Sequence, residues 1–434
     1  MVLDPVHMEG ITKHARRIKS EVDESEHRNI AGTVWNDFLN PLYNQEGEKI
    51  LSPLEGQYLR EVKIEEAALQ ETIFERSYGL DSGTINPTSF KNGIVLDVAQ
   101  AAMAAVPTEL DLHRKRTITT TVHSTTPVGI SEKTEKLDEG NTQNILLPAP
   151  SVERFEESVV HDIALHLSES KHALSHINQI DGLLVLDGPI YPKGILNWAD
   201  HPELRELLYD EGDTRDVKGN PRDIIKNYIG LVNHFVSNEI PLLGFVKNPS
   251  TQALTRTLER QESTPQTPWV NDTAFFKKIL EKVGYEYNRD ENGDVQRKRV
   301  RDEEHLTYTN WFRSRGGADR YVSADASLFD LERTLDPEDY EVTFFVLYEP
   351  RSDLLYRIES PYGITKDPER REQLTKWILK EVATQQGPPE AVAKADELAR
   401  ISKDETAALQ SEFEIKFNTE QHKDYDSHRW NELY

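Results

Sequence analysis

Two aspartates occupy positions in the sequence where a catalytic metal ion could be held. Asp97 follows the apolar run at residues 93–96, and Asp187 follows the apolar run at 183–186. Open α/β sheets place their sites beyond the carboxyl ends of strands, and the divalent ions of phosphodiester chemistry take oxygen ligands. We therefore predict that both belong to a carboxylate cluster that binds Mn²⁺ or Mg²⁺. The alternatives are a helix N-cap for Asp97 and an ordinary turn for Asp187.

A third carboxylate is expected from the helix predicted at residues 155–177, which precedes the Asp187 strand. We favour Glu169 over Asp162, although both could lie on a solvated helix face. His172 and His176 are four residues apart, but the glutamate of a zinc-protease motif is missing between them, so we interpret them as surface histidines.

Other kinds of chemistry lack support in the sequence. The chain has no cysteine, which excludes disulfides, thiolate metal sites and a cysteine nucleophile. It contains no phosphate-binding Gly-x4-Gly-Lys-Ser/Thr loop, no Gly-x-Gly-x-x-Gly after a strand and no Gly-x-Ser-x-Gly elbow. Water activated by a metal ion is the chemistry that remains.

The charge of the chain bears on its partners. There are 76 acidic and 51 basic residues, giving a formal net charge of −25. This imbalance favours a protein of a high-salt organism, because salt screens self-repulsion. Counterion release contributes little in concentrated salt, so DNA is not excluded as a partner. Phosphate would then be reached through metal ions, backbone amides and a few local cations, for which we name Lys247, Arg313 and Arg315. Surface ion pairs are the alternative for these arginines.

The elements that must position these residues alternate along the chain. Strands are predicted at 93–96, 117–122, 183–186 and 241–246, with helices at 155–177 and 221–239, and the first two strands should be neighbours. This alternation predicts an α/β fold with a mainly parallel or mixed sheet. Residues 11–22 and 61–75 read as helical, 131–144 as a loop or flap, 285–300 as a hairpin around Asn292-Gly293, and 340–348 with 354–358 as a strand pair. The longest apolar runs are too short for a membrane helix, so we expect a cytoplasmic protein without membrane contact.

The order of these motifs resembles the NurA family, the archaeal nucleases that work with the HerA translocase. The resemblance runs from about residue 93 to 401. It is carried by the strand-end aspartate, the helix, the Asp187-Gly188 strand end, the strand into Lys247, and the stretch 387–400. Residues 387–396 are similar to the family signature Gly-Tyr-Pro-x-x-Leu-x-x-Ala-His, with Pro388 in place of tyrosine and Asp396 in place of histidine.

The resemblance implies an RNase H-like mixed sheet flanked by helices and a manganese-dependent site. The family's first catalytic aspartate, usually followed by Gly-Ser, would fall on Asp97, its helix glutamate near Glu169 and its second aspartate on Asp187. Asp396 could bind a cation through oxygen, but it cannot transfer a proton as imidazole does. The implied segments are an N-terminal helical extension (1–85), the first part of the nuclease core (86–260), a linker with an inserted hairpin that contacts DNA (261–335), and the rest of the core with a tail (336–434).

We therefore expect a Mn²⁺-dependent, or Mg²⁺-dependent, deoxyribonuclease. The resemblance implies a 5′-to-3′ exonuclease with single-strand endonuclease activity, a homodimer that acts with a HerA-type translocase in DNA end resection and recombinational repair. A catalytically weakened, DNA-guiding subunit of the HerA complex is the alternative. A phosphatase acting on small phosphate esters is the third hypothesis.

Overall fold

The computed structural model describes residues 4–21, 24–124, 132–150, 152, 154–209, 221–261, 264–289 and 295–422. They form a mixed α/β structure in which helices flank a large sheet. The helices are α1 (Pro5–Glu21), α2 (Glu24–Phe38), α3 (Ile64–Ala68), α4 (Leu110–Arg114), α5 (Glu156–His176), α6 (Lys193–Asn197), α7 (Pro202–Arg205), α8 (Pro221–Ser237), α9 (Ala253–Arg260), α10 (Asp272–Leu280), α11 (Tyr362–Thr365), α12 (Pro368–Gln385), α13 (Glu390–Ala399) and α14 (Lys403–Phe417).

The strands are short, apart from β6. They are β1 (Leu42–Tyr43), β2 (Lys49–Pro53), β3 (Leu59–Lys63), β4 (Ser77–Thr84), β5 (Thr88–Ser89), β6 (Ile94–Val106), β7 (Arg116–Ser124), β8 (Lys133–Leu137), β9 (Thr142–Pro148), β10 (Leu183–Leu186), β11 (Leu242–Val246), β12 (Val283–Arg289), β13 (Val295–Arg301), β14 (His305–Thr309), β15 (Phe312–Ser314), β16 (Val342–Glu349) and β17 (Leu354–Pro361).

Within the described residues, fifteen of these strands form one mixed sheet. Its main path is β1-β2-β15-β16-β17-β11-β10-β4-β6-β7-β9-β8. The centre is parallel, because β10 pairs in parallel with both β4 and β11, while β6 and β17 on either side are antiparallel to their neighbours. All four residues of β10 are buried. A continuous apolar strand is typical of a sheet covered on both faces.

Two helices cover opposite faces of the sheet at β4 and β6. Ser168 of α5 donates to the carbonyl of Ala99 at 3.2 Å, whereas the amide of Gln100 lies 3.4 Å from the carbonyl of Leu398 in α13. Because successive side chains of a strand point to opposite faces, α5 lies on one side of β6 and α13 on the other. The ends of β4 and β10 are therefore enclosed between two helices.

The structure confirms the predicted mixed sheet flanked by helices and most of its central elements. The predicted helices at 155–177 and 221–239 correspond to α5 and α8, and the strands at 183–186 and 241–246 to β10 and β11. The first two predicted strands lie in β6 and β7, which are neighbours, and β12 with β13 forms the predicted hairpin; its turn at residues 290–294 lies outside the described residues. None of the described helices has the length and apolar character needed to cross a membrane.

Three local predictions differ from the structure. Residues 133–148, expected to begin as a loop or flap, contain β8 and β9, which form an edge of the sheet. The helix expected at 61–75 is reduced to α3, preceded by β3. Most important, residues 77–84, assigned to the N-terminal extension, form the central strand β4. Backbone pairing with β6 and β10 overrides the weak strand propensity of this glycine-containing segment.

Candidate metal centre

Three aspartates from separate parts of the chain converge at one end of the parallel strands. Carboxylate oxygens of Asp81, Asp187 and Asp396 all lie within 4.8 Å of one another. Asp81 lies in β4, Asp187 directly follows β10, and Asp396 lies in α13. Leu80 and Leu186 are register partners in the parallel pair, so the aspartate after each leucine reaches the same level of the sheet. We call these three residues the carboxylate triad.

Two glycines of β4 let α13 approach closely enough to complete the triad. A Cβ atom at Gly79 would lie 2.1 Å from the carbonyl oxygen of Ala391, and one at Gly83 would lie 2.5 Å from that of Ala399. Both carbonyls belong to α13. Residues 79, 81 and 83 share one face of the strand, so the same face carries Asp81 toward the helix that supplies Asp396. Because neither glycine has a side chain, α13 packs close to β4, and this places Asp396 near Asp81 and Asp187.

A fourth carboxylate, Glu169, approaches from α5. Ser82 donates to its Oε1 and Tyr228 to its Oε2, both at 2.7 Å, and His166 Nδ1 is 3.6 Å from Oε2. Burial works against ionisation of Glu169, but the contacts with His166, Ser82 and Tyr228 outweigh it and hold the pKa of this carboxyl below its usual range. Glu169 is thus held as an ordered anion beside the triad.

Crowding of negative charge has the opposite effect on the triad itself. Burial, together with the charges of Asp187 and Glu169, raises the pKa of Asp81 to about 9. Burial also raises the pKa of Asp187, although Lys247 Nζ donates to its Oδ2 at 2.5 Å and opposes the rise. The pKa of Lys247 is raised because the attraction of Asp187, Asp81 and Asp396 outweighs its burial. In the protein alone, the negative charge of the triad is only partly compensated, by one proton and one lysine.

This donor set fits a hard divalent cation. Oxygen-only ligands are those preferred by Mg²⁺ and Mn²⁺, and zinc or copper would call for imidazole or sulfur. Burial first, and then the charges of Asp187 and Glu169, raise the pKa of Asp81, and a bound cation would offset both effects. Asp187 is mostly buried whereas Asp396 is exposed, so the triad is open to solvent on one side.

Comparison with known proteins assigns the chain to a family. A model of the NurA domain matches residues 75–401, about three quarters of the chain. The chain belongs to the NurA domain family. The match begins two residues before β4 and ends two residues after α13, so it includes every element of the triad.

Solved NurA structures are similar over most of their length at low identity. The NurA nuclease from Sulfolobus solfataricus is 11% identical, covering 95% of this chain and 98% of that one, with a TM-score of 0.46. NurA bound to dAMP and manganese is 14% identical, covering 98% and 99%, with a TM-score of 0.41. NurA with manganese is 12% identical, covering 80% and 90%, with a TM-score of 0.38. No curated protein matches the chain.

Of the four predicted metal ligands, the structure brings Asp187 and Asp396 together in the triad. Glu169 lies beside the triad, and Asp97 lies apart from it. Asp97 is fully buried in β6, where it accepts from the backbone of Val98 and lies 2.7 Å from His161 Nδ1 of α5. Burial raises the pKa of Asp97 despite this partner, and the contact with Asp97 raises that of His161. The pair forms a separate contact between α5 and β6.

Asp81 is the site residue that the sequence analysis missed. It lies in a segment predicted to be helical extension, but a signal was present: Asp81-Ser82-Gly83 carries the two small residues of the NurA Asp-Gly-Ser pattern in reversed order. Asp97, followed by Val98-Ala99, has neither. The glycines that flank Asp81 two residues away on each side are a second signal, because they permit a close helix contact.

The other chemistry candidates on α5 have structural partners. Asp162 accepts from the indole of Trp198 at 3.2 Å. His172, interpreted as a surface residue, is fully buried against β7, where Thr117 lies 3.0 Å from its Nδ1. Burial lowers the pKa of His172 well below its usual value and that of His176 to about 4. The surface interpretation is wrong for His172, because this helix is covered by both the sheet and α8.

The arginines predicted to contact DNA are held by acidic residues. Arg313 contacts the buried Glu341 at 2.9 Å and the exposed Glu338 at 3.0 Å, and its guanidinium lies 3.7 Å from the ring centre of Tyr362. Arg315 contacts Glu341 at 2.8 Å but also lines a surface cavity. The side chains of the basic residues 297–299, in the hairpin predicted at 285–300, lie outside the described residues.

Proposed function

We propose that this chain is a metal-dependent DNA nuclease whose ion, Mn²⁺ or alternatively Mg²⁺, is held by Asp81, Asp187 and Asp396. The observation that carries the proposal is the carboxylate triad at the strand ends of a NurA domain. Manganese is the ion implied by the family resemblance, and two solved NurA structures contain it. The proposed set replaces Asp97 with Asp81, because Asp97 is buried away from the triad.

Residues of this chain would bind the phosphate and accept the proton in the proposed reaction. A bound ion supplies Lewis-acid chemistry, which acidifies water and neutralises charge that develops on a phosphate. Lys247 lies beside Asp187 and can hold a non-bridging phosphate oxygen at the same place. Glu169, kept ionised by three hydrogen-bonding neighbours, can accept a proton from the attacking water or bind a second ion. The exposed side at Asp396 is the proposed entrance for the strand.

The finer features of the proposal rest on the family. We propose a 5′-to-3′ exonuclease that also cuts single strands, forms a homodimer and works with a HerA-type translocase in DNA end resection and repair. A cytoplasmic location in a haloarchaeal cell accords with the net charge of −25. Sedimentation in concentrated KCl tests the homodimer, which a monomer at working concentration would refute. Co-purification with the translocase tests the partnership.

The decisive experiment compares three isosteric variants in concentrated KCl. End-labelled single- and double-stranded DNA is incubated with and without Mn²⁺, and Mn²⁺ binding is measured by calorimetry. Asp81→Asn and Asp187→Asn should each lose metal binding and cleavage, whereas the matched control Asp97→Asn should keep Mn²⁺ binding, since its carboxyl lies outside the triad. Full cleavage by Asp187→Asn, or no cleavage by the wild type, would refute the proposed nuclease.

One observation favours a second function. Asp396 stands where the NurA signature has histidine, and an aspartate does not offer the second ring nitrogen through which imidazole relays a proton. A catalytically weakened subunit that guides DNA for the translocase would bind Mn²⁺ and DNA without cleavage. Asp396→His tests this hypothesis: a gain of cleavage would support the weakened subunit, and a loss would support the nuclease as it stands.

A further inference from the structure

One cavity of this acidic chain has mainly basic residues among the charged side chains that line it. It has a volume of about 540 Å³ and lies between α9, the loop at residues 250–252 and the segment at 314–320. Its lining includes six basic and three acidic side chains, although acidic residues outnumber basic ones in the whole chain. We call this cavity the basic groove. A local excess of cations in such a chain indicates an anionic ligand.

Four of the six cations are already engaged with acidic partners. Lys193 and Arg357 both contact Asp319, at 3.0 and 2.8 Å, and both also pair with Glu359. Arg315 pairs with Glu341, as described above, and Arg320 pairs with Asp200. These four side chains form the floor and wall of the basic groove, and their charges are largely neutralised.

The other two cations, Arg256 and Arg260, are exposed on α9. Across the part of the chain that the structure describes, neither guanidinium has a hydrogen-bond or ion-pair partner. Their spacing of four residues places them on one face of the helix, about one turn apart. The four paired cations of the basic groove have a structural role. The guanidinium groups of Arg256 and Arg260 together carry ten N–H donors that no described residue accepts from.

The helix that carries these arginines is firmly held. Asp272, at the start of α10, accepts from the backbone amides of Leu254 at 3.3 Å and Thr255 at 2.9 Å, which fixes the first turn of α9. Leu258 is fully buried on the opposite side of the helix. The two guanidinium groups therefore project from a rigid platform, and binding a ligand there requires only side-chain ordering.

The basic groove lies at the same edge of the sheet as the triad. Leu186, Gly244 and Glu359 are register partners in one row across β10, β11 and β17. Glu359, which anchors Lys193 in the floor of the groove, is thus two strands from the residue before Asp187. Two inter-strand spacings amount to about 10 Å. Leu80 shares this row, so Glu359 faces the same side of the sheet as Leu80 and the opposite side from Asp81. A strand bound at the triad would therefore reach the groove around the carboxyl ends of β10 and β11, over more than this spacing.

A second cavity adjoins the basic groove and is suited to bases. Its volume is about 510 Å³; Arg315 and Arg320 line both cavities, and Tyr209, Tyr321 and Phe329 line the second. The guanidinium of Arg320 lies 4.5 Å from the ring centre of Tyr321, which leaves its outer face for a further planar group. Unpaired bases stack on aromatic rings and guanidinium planes, whereas bases within a duplex cannot.

We propose that Arg256 and Arg260 bind further phosphates of the single DNA strand whose scissile phosphate is held at the triad, with a base of that strand at Arg320 and Tyr321. This inference deepens the proposed function and rests on DNA as the substrate. It names a substrate path: a single strand passes from the triad across the basic groove to the aromatic cavity. Duplex DNA would not fit, since cavities of 500 Å³ hold ligands of about nucleotide size.

The test compares three single variants in binding and cleavage. Arg256→Ala and Arg260→Ala are matched with Arg114→Ala, an exposed arginine after β6, beyond the opposite end of β4. Binding of a labelled thymidine 20-mer is followed by anisotropy over a range of KCl, with Ca²⁺ replacing Mn²⁺. Each groove variant should weaken binding several-fold and lower the slope of log affinity against log salt by about 0.7, the value for one phosphate contact of a single strand.

Cleavage of a small substrate separates this inference from the nuclease itself. Hydrolysis of bis(4-nitrophenyl) phosphate with Mn²⁺ should be unchanged in both groove variants, because that ester lacks the further phosphates that Arg256 and Arg260 would bind. Wild-type affinity in both variants, or equal weakening by Arg114→Ala, would overturn the inference. A wild type that binds the 20-mer without cleaving it would refute the nuclease and still test the groove; a wild type that does not bind it would overturn both.

Discussion

The contact between β4 and α13 can be tested by adding one methyl group. In Gly79→Ala the new Cβ would lie 2.1 Å from the carbonyl oxygen of Ala391, whereas ordinary contact begins at 3.4 Å. The shortfall is about 1.3 Å, and it falls on backbone, which cannot rotate away. Because Asp396 belongs to the same helix, its carboxylate should move by a comparable amount, and metal–ligand distances tolerate only about 0.2 Å.

The expected result is a large loss of metal binding with a smaller loss of stability. Overpacking of this kind costs about 1–3 kcal/mol of unfolding free energy. A displacement near 1 Å at a catalytic site lowers the rate by about 10²-fold. Mn²⁺ affinity is measured by calorimetry, DNA cleavage by end-labelled substrate and folding by circular dichroism. Gly83→Ala, with a shortfall of about 0.9 Å from its 2.5 Å contact, should have the same effects to a lesser degree.

Gly32→Ala is the matched control, since its Cβ would meet no heavy atom within 4 Å and α2 is far from the triad in sequence. It should leave Mn²⁺ affinity unchanged and stabilise the helix slightly. If Gly79→Ala folds and binds Mn²⁺ as the wild type does, the reasoning about α13 is refuted. If Gly79→Ala does not fold, Gly83→Ala decides the question, because its smaller clash should leave a folded protein.

Three further predictions concern charge. Asp81→Asn should raise the melting temperature of the metal-free protein at pH 7, because folding of the wild type must take up the proton that Asp81, with a pKa of about 9, holds in the folded state, whereas asparagine needs none. The same variant should abolish the increase that Mn²⁺ gives the wild type, and calorimetric scans with and without Mn²⁺ check both. Mn²⁺ affinity of the wild type should rise with pH up to about 9, because the metal must displace the proton of Asp81. The stability of the metal-free protein should fall as the pH rises from about 4 to 9, because over this range the unfolded state has lost that proton and the folded state has kept it. Equal Mn²⁺ affinity in titrations at pH 6.5 and 8.5 would contradict the first expectation. Glu341→Gln should cost about 3–5 kcal/mol in urea denaturation, because Arg313 and Arg315 would lose a buried partner, whereas Glu338→Gln, whose carboxylate is exposed, should change stability little.

The centre of the fold could be predicted because its elements carry continuous apolar patterns. The run at 183–186 is buried on both faces, and α8 places apolar residues at helical spacing against the sheet. Asp187 and Lys247 could be placed for the same reason, since each directly follows such a strand. Their contact at 2.5 Å follows from the parallel pairing of β10 and β11.

The position of Asp81 depends on long-range contacts of β4, which the spacing of apolar residues in the sequence does not indicate. β4 has glycines at 79 and 83, so local propensity argues against a strand, and only pairing with β6 and β10 makes it one. Asp97 had the better local signal, an apolar run before it, but that run lies in the antiparallel β6. The two aspartates are thus distinguished by the face of the sheet on which each lies, toward α5 for Asp97 and toward α13 for Asp81, which a single sequence does not reveal.

The triad also explains why so acidic a protein places a lysine among its proposed metal ligands. Three carboxylates within 4.8 Å cannot all be ionised without compensation, and the structure supplies two partial substitutes for a cation: the proton of Asp81 and the ammonium of Lys247. A bound divalent ion would supply the same two positive charges. Asp81 could then be ionised, and the charge of Lys247 would be available to a phosphate. Binding of the metal ion and binding of the DNA strand should therefore be coupled through the charge of the triad, so that each raises the affinity for the other.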